Sequence, residues 1–79
     1  MLILHILYNS TKIPNVITEN DTVVLVGDAV YLLLQQVNFN YYALENDLMA
    51  RGLKNYTNAI DYKQLIALIA QHHKVVTWT

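Results

Sequence analysis

The chain has 79 residues, no cysteine, a net charge of −1, and its basic residues scattered as Lys12, Arg51, Lys54, Lys63 and Lys74. That length allows one domain over residues 1–79 with a thin core, and the missing thiols exclude disulfides, thiolate metal sites and thiol catalysis together. Scattered charge lacks the clustered basic footprint of a nucleic-acid binder, and 54% hydrophobic against 14% charged residues predicts that so small a domain covers apolar surface by oligomerisation.

Residues 2–8 form an apolar run interrupted only by His5, the pattern of a strand buried on both faces. The run has no basic leader and no small-residue cleavage site after it, so it does not read as a signal sequence. No stretch approaches the roughly 18 apolar residues of a membrane span. A cytoplasmic, non-membrane protein is expected, and the glycosylation sequons at Asn9 and Asn55 are chance matches. Residues 9–21 are polar and broken by Pro14, with Ile13, Val16 and Ile17 at one-turn spacing: a loop carrying at most one short helix. Residues 22–27 make a second buried strand ending at Gly27, and Asp28 is placed to cap a helix over 29–36. That helix begins with six consecutive apolar residues, 29–34. A helix apolar all round needs cover on both sides, which points to another chain.

Residues 37–44 form a third strand, rich in β-branched and aromatic types at Val37, Phe39, Tyr41 and Tyr42. A short helix over 45–51 carries acids in its first turn and stops at Gly52. A loop over 53–58 leads to Ala59 and Ile60, a very short fourth strand. Asp61 caps the clearest helix, 62–72. There Tyr62, Leu65, Ile66, Leu68, Ile69 and His72 share one arc, while Lys63, Gln64, Ala67 and Gln71 lie opposite. Residues 74–78 make the last strand. Buried strands alternating with helices predict an α/β fold: three layers, α/β/α, around a mainly parallel sheet of four to five strands with right-handed crossovers.

Gly27 and Asp28 sit at the C-terminal end of a strand, where open α/β sheets place their ligands. An acid there serves as phosphoacceptor, metal ligand or base in some proteins. A phospho-receiver also needs an acidic pair after the first strand, and Tyr8 and Asn9 stand there instead, so the N-cap reading of Asp28 outweighs it. Neither G-x-G-x-x-G nor G-x-x-x-x-G-K occurs, and no cofactor is expected. Ser10 and Thr11 have no identifiable base. His5 reads as a hydrogen-bonded core histidine. His72 and His73 point about 100° apart on a helix, not as the i, i+4 pair of a metal chelate. Tyr31, Tyr41, Tyr42, Tyr56, Tyr62 and Trp78 are more aromatics than a small core holds, and such residues suit subunit interfaces. Arg51 lies where a cation favours the carbonyl end of its helix. Asp47 at i−4 is its plainest partner, and contact with another subunit is the sharper reading.

Residues 42–53 read Y-A-L-E-N-D-L-M-A-R-G-L and closely resemble the Y-A-L-x-x-D-x-x-A-R-G-L segment of the TusB/DsrH family. The likeness runs on through Ile60, Asp61 and Tyr62, an apolar helix, and an end just after Trp78. Upstream, residues 21–30 resemble the family's acidic residue, apolar strand and D-G-V turn, with Ala29 in place of the turn glycine and a shorter segment after the first strand. The resemblance implies a DsrE-like fold and a subunit of a TusBCD/DsrEFH-like sulfur-relay complex with TusC-like and TusD-like sister subunits. Such complexes pass persulfide sulfur toward 2-thiolation of the wobble uridine of certain tRNAs, or serve dissimilatory sulfur metabolism in sulfur oxidisers. In the Tus family the sulfur-bearing cysteine belongs to the TusD-like chain, which fits a cysteine-free chain that is not itself an enzyme; Met1 and Met49 are thioethers and form no persulfide. Asp28, Tyr31, Asp47, Arg51 and Trp78 are the candidate partner-interface or family-motif residues. No catalytic, cofactor-binding or metal residue is nominated. Beside this stand a homo-oligomeric small-ligand binder of the same fold, using the Gly27–Asp28 strand end, and a phospho-receiver or hydrolase dependent on Asp28.

Overall fold

The computed structural model describes residues 3–9, 17–18, 20–34, 40–53, 56 and 58–78. Strands β1 (Ile3–Leu7), β2 (Thr22–Leu25), β3 (Asn40–Leu44), β4 (Ala59–Ile60) and β5 (Lys74–Trp78) alternate with a 3₁₀ helix (Gly27–Leu34) and two α-helices, α1 (Glu45–Ala50) and α2 (Tyr62–Gln71). The strands form one sheet in the order β4-β3-β2-β1-β5. Every pairing in it is parallel: Leu4 sits beside Thr22, Thr22 beside Asn40, Ala43 beside Ala59, and Ile3 beside Lys74. The expected α/β class with five parallel strands is what the molecule adopts. The expected short helix within 9–21, Ser10 and Thr11, the first residues of strand 37–44, and the end of helix 29–36 fall outside the described residues.

Side chains alternate across a strand, so each strand feeds two cores. Leu7, Val23, Leu25 and Ala43 pack with Ala29, Val30, Leu32 and Leu48 from the 3₁₀ helix and α1. Leu4, Ile6, Val24, Val26, Leu44 and Ile60 pack on the other face, where Leu65 and Leu68 of α2 lie against them. Helices therefore cover both faces, giving three layers. β1 and β2 are the strands expected to be buried on both sides, and Leu4, Val23, Val24 and Leu25 are fully so.

The helix after β2 departs from expectation. It is 3₁₀ rather than α, it starts at Gly27, and Asp28 lies inside its first turn rather than capping it. The cause is local. Gly27 takes a φ of +54°, available to glycine without a Cβ clash, and Ala29 N–H donates to Val26 O at 3.1 Å, closing an i→i+3 turn directly off the strand. With three residues per turn, positions i and i+3 eclipse. Asp28, Tyr31 and Leu34 thus form one outward ridge, all exposed, while Ala29, Val30 and Leu32 are buried. Cover on both sides, expected for a helix apolar all round, is not what this segment has.

α2 follows the expected pattern at its start. Asp61 Oδ1 accepts from Gln64 N–H at 2.8 Å, and Gln64 Oε1 accepts from Asp61 N–H at 3.0 Å. This reciprocal capping box satisfies two otherwise orphaned donors. None of the helix's residues is fully buried, so its stability leans on the cap more than a core helix would. Asp61→Ala is expected to lower unfolding free energy by about 1 kcal/mol, and Gln64→Ala by less, as read from urea denaturation midpoints at an unchanged m-value.

Candidate functional site

Four of the residues singled out from sequence converge at the C-terminal end of the sheet. α1 follows β3 without a spacer and projects Arg51, just past its last turn, back over the 3₁₀ helix. The guanidinium donates from Nε (3.1 Å) and Nη2 (2.9 Å) to Asp28 Oδ1, and from Nη1 to Asp47 O at 3.2 Å. Asp47 Oδ1 lies 3.7 Å from Nη1, so Asp28 rather than the i−4 carboxylate is the main partner. Arg51 Cζ also sits 5.8 Å from the centroid of the Tyr31 ring, within cation–π range. The 3₁₀ eclipse makes this possible, because it sets Asp28 and Tyr31 on one ridge. The Asp28 hydrogen bond is the largest influence on Arg51 and holds its pKa above the usual guanidinium value.

Asp47 supplies the cap that Asp28 does not. Its Oδ2 accepts from Gly27 N–H at 2.8 Å, so a carboxylate from α1 closes the turn leaving β2. Gly52, φ +70°, ends α1 as expected: its N–H donates to Met49 O, and Leu53 N–H to Leu48 O. The 42–53 segment is thus a strand–helix–turn unit whose acid and arginine both reach across to the 3₁₀ helix.

Trp78 does not join this group. Its indole Nε1 donates to His5 Nδ1 at 3.0 Å and stacks on the imidazole with ring centroids 6.1 Å apart. An indole nitrogen only donates, so Nδ1 is the acceptor and the ring proton sits on Nε2, which meets Asp21 Oδ2 at 2.9 Å. Asp21 also accepts from Ile3 N–H (3.3 Å) and Thr18 N–H (3.2 Å). His5 and Asp21 are 1% and 3% exposed, which keeps substrate from reaching them: the chain Asp21–His5–Trp78 fastens β2, β1 and β5 together. Burial raises the Asp21 pKa, but the hydrogen bonds from His5, Thr18 and Ile3 outweigh it, and the net value lies below the usual carboxylate range. His5 is the core histidine expected. The network itself was not read from sequence. Its signals were an acid immediately before one buried strand and a histidine inside another.

Among the described residues no group of three His, Cys, Asp or Glu side chains converges as a metal site, and no helix is long and apolar enough to cross a membrane. His72 is turned back on its own helix, with Nδ1 2.7 Å from Leu68 O.

The family model described as DsrH like protein matches residues 8–75. The chain belongs to the TusB/DsrH family. No curated protein and no solved structure matches it. TusB/DsrH chains are subunits related to sulfur relay, working with partner subunits and in general without a catalytic cysteine, and this member has no cysteine. The family match spans both the Arg51 cluster and α2, and it ends within β5, before Trp78.

Asp21 gives this TusB/DsrH chain a defined acid response. A carboxyl whose folded pKa is depressed contributes stability that is present above the unfolded value, about 3.9, and is lost as pH falls through the folded value. Unfolding free energy should therefore drop as pH falls below about 4, and Asp21→Asn should flatten that limb. At neutral pH Asp21→Ala leaves the buried His5 donor and the half-buried Ile3 N–H without that acceptor and should cost about 2 kcal/mol or more, measured by chemical denaturation.

Proposed function

We propose that this chain is the non-catalytic subunit of a TusBCD/DsrEFH-like complex that carries persulfide sulfur toward 2-thiolation of the tRNA wobble uridine in the cytoplasm. The observation that carries the reading is the family match across residues 8–75 of a chain without cysteine. Persulfide relay requires a thiolate that attacks a donor sulfur and then releases it. Hydroxyl, carboxylate, imidazole and thioether groups do not substitute for it. The contribution is then made by assembly with TusC-like and TusD-like sister subunits: completing a scaffold or docking the next carrier.

The partner-facing element in this proposal is the ridge of Asp28, Tyr31 and Leu34, held by Arg51 and Asp47. Leu34 and, in α1, Met49 are each 67% exposed, and large apolar groups left in solvent suit a subunit contact. Trp78 acts here through its packing on His5.

Two measurements test this. Loss of the gene should abolish or strongly reduce wobble 2-thiouridine in total tRNA, while the TusD-like cysteine still acquires sulfur when stably assembled. Unchanged thiolation together with impaired sulfur oxidation would redirect the reading to a dissimilatory complex. Arg51→Ala should leave the far-UV spectrum intact and reduce co-purification of the sister subunits. If stability and assembly are both unchanged, Arg51 has no part in docking.

A further inference from the structure

The line Asp21–His5–Trp78 works with one protonation state of its middle member. Trp78 Nε1–H donates to His5 Nδ1 at 3.0 Å, and an indole nitrogen has no acceptor capacity. Nδ1 therefore carries a lone pair, and the ring proton is on Nε2, 2.9 Å from Asp21 Oδ2. The histidine is 1% exposed, and among the described residues its ring nitrogens bond to these two groups alone.

A second ring proton has one place to go, Nδ1, and there it points at the indole N–H. Donor then faces donor. Turning the imidazole over about its Cβ–Cγ bond sets a carbon where each nitrogen now stands, which gives up the Asp21 hydrogen bond as well. Staying in place keeps that bond and makes it a charge-assisted one, imidazolium to carboxylate. Trp78 is the member placed to leave. It is the last residue of β5, the strand that ends the sheet, and it is half-buried. Its side chain can turn into solvent while β5 stays paired with β1 through the backbone.

We infer that His5 is a proton-operated latch on Trp78: the neutral ring holds the indole against the sheet, and the protonated ring releases it. Other ionisable groups on this face of the sheet stand apart from the ring. Lys74 of β5 is level with Ile3 rather than His5 and is exposed. Asp28 of the 3₁₀ helix, Asp47 of α1 and Arg51 just past it are gathered at the C-terminal end of the sheet, with Tyr31 beside the guanidinium. Glu45 begins α1 in solvent, and Tyr41 and Tyr56 pack against the Leu7 core. Asp21 alone sets a charge against the imidazole. Burial raises its pKa, but the hydrogen bonds from His5, Thr18 and Ile3 outweigh this and bring it below the usual carboxylate value, so it stays charged while histidines titrate.

Trp78 is the chain's single tryptophan, so its fluorescence reads the latch directly. The full chain is titrated from pH 8 to about pH 5, the span in which histidines change charge while carboxylates stay largely ionised. Emission should move to longer wavelength and acrylamide quenching should strengthen, with the far-UV spectrum unchanged. By NMR, the indole N–H resonance should shift with the same midpoint as the His5 ring. His5→Gln offers an amide oxygen to the indole and an amide N–H to Asp21 but does not titrate, so its emission should be constant over the same range. A wild-type emission that stays constant overturns the inference, as does an indole midpoint that departs from that of His5, or a folded His5→Gln chain that still shifts. Should His5→Gln fail to fold, the two wild-type midpoints decide alone.

Discussion

Five parallel strands in 79 residues must be covered on two faces by very little helix. Parallel sheets are stable when both faces are dry, and here one face has only the 3₁₀ helix and α1, the other only α2 among the described elements. Most of what is unusual follows from that shortage. The central strands are buried while β5 is half open, α2 has no fully buried residue, and large apolar side chains remain in solvent on two separate surfaces.

Polar contacts do the joining where apolar cover runs out. At the C-terminal end of the sheet, Asp47 of α1 and Arg51 just past its end hold the Gly27 backbone and the Asp28 carboxylate. Six residues of α1 thereby position a helix that has no α-type ladder of its own. At the β5 edge, the indole of Trp78 and the imidazole of His5 end on the Asp21 carboxylate, which is itself held by two backbone N–H groups. Removing one member of either set strands the others, which makes both sets specific about geometry as well as stabilising.

Strand identity was legible because β1 and β2 are unbroken apolar runs, and α2 was legible because its period and its Asp61 cap agree. The segment after β2 was not. Six consecutive apolar residues satisfy any helical period, so the choice between α and 3₁₀ fell to tertiary contacts that a one-dimensional pattern does not contain. The same applies to the site. The 42–53 motif named Asp47 and Arg51, but local spacing paired them with each other at i, i+4, whereas the fold gives Arg51 a nearer carboxylate 23 positions away. His5 was recognisable as a core histidine from its strand. Its partners Asp21 and Trp78 lie 16 and 73 positions off, and only the strand order brings them together.

The place of β5 beside β1 bears on the order of folding. Ile3 pairs with Lys74 and Leu7 with Trp78, so the first strand gains its second neighbour only when nearly the whole chain is available. Contacts this distant in sequence carry the largest loop-closure entropy and form late. During synthesis β1, β2 and β3 can associate while one flank of the most hydrophobic strand stays open, a state prone to pairing with the wrong strand. The hydrogen bond from Trp78 to a histidine on β1 rewards the correct closure with a polar match that a mispaired strand does not supply. Its formation should be visible through the chain's single tryptophan as β5 closes on β1.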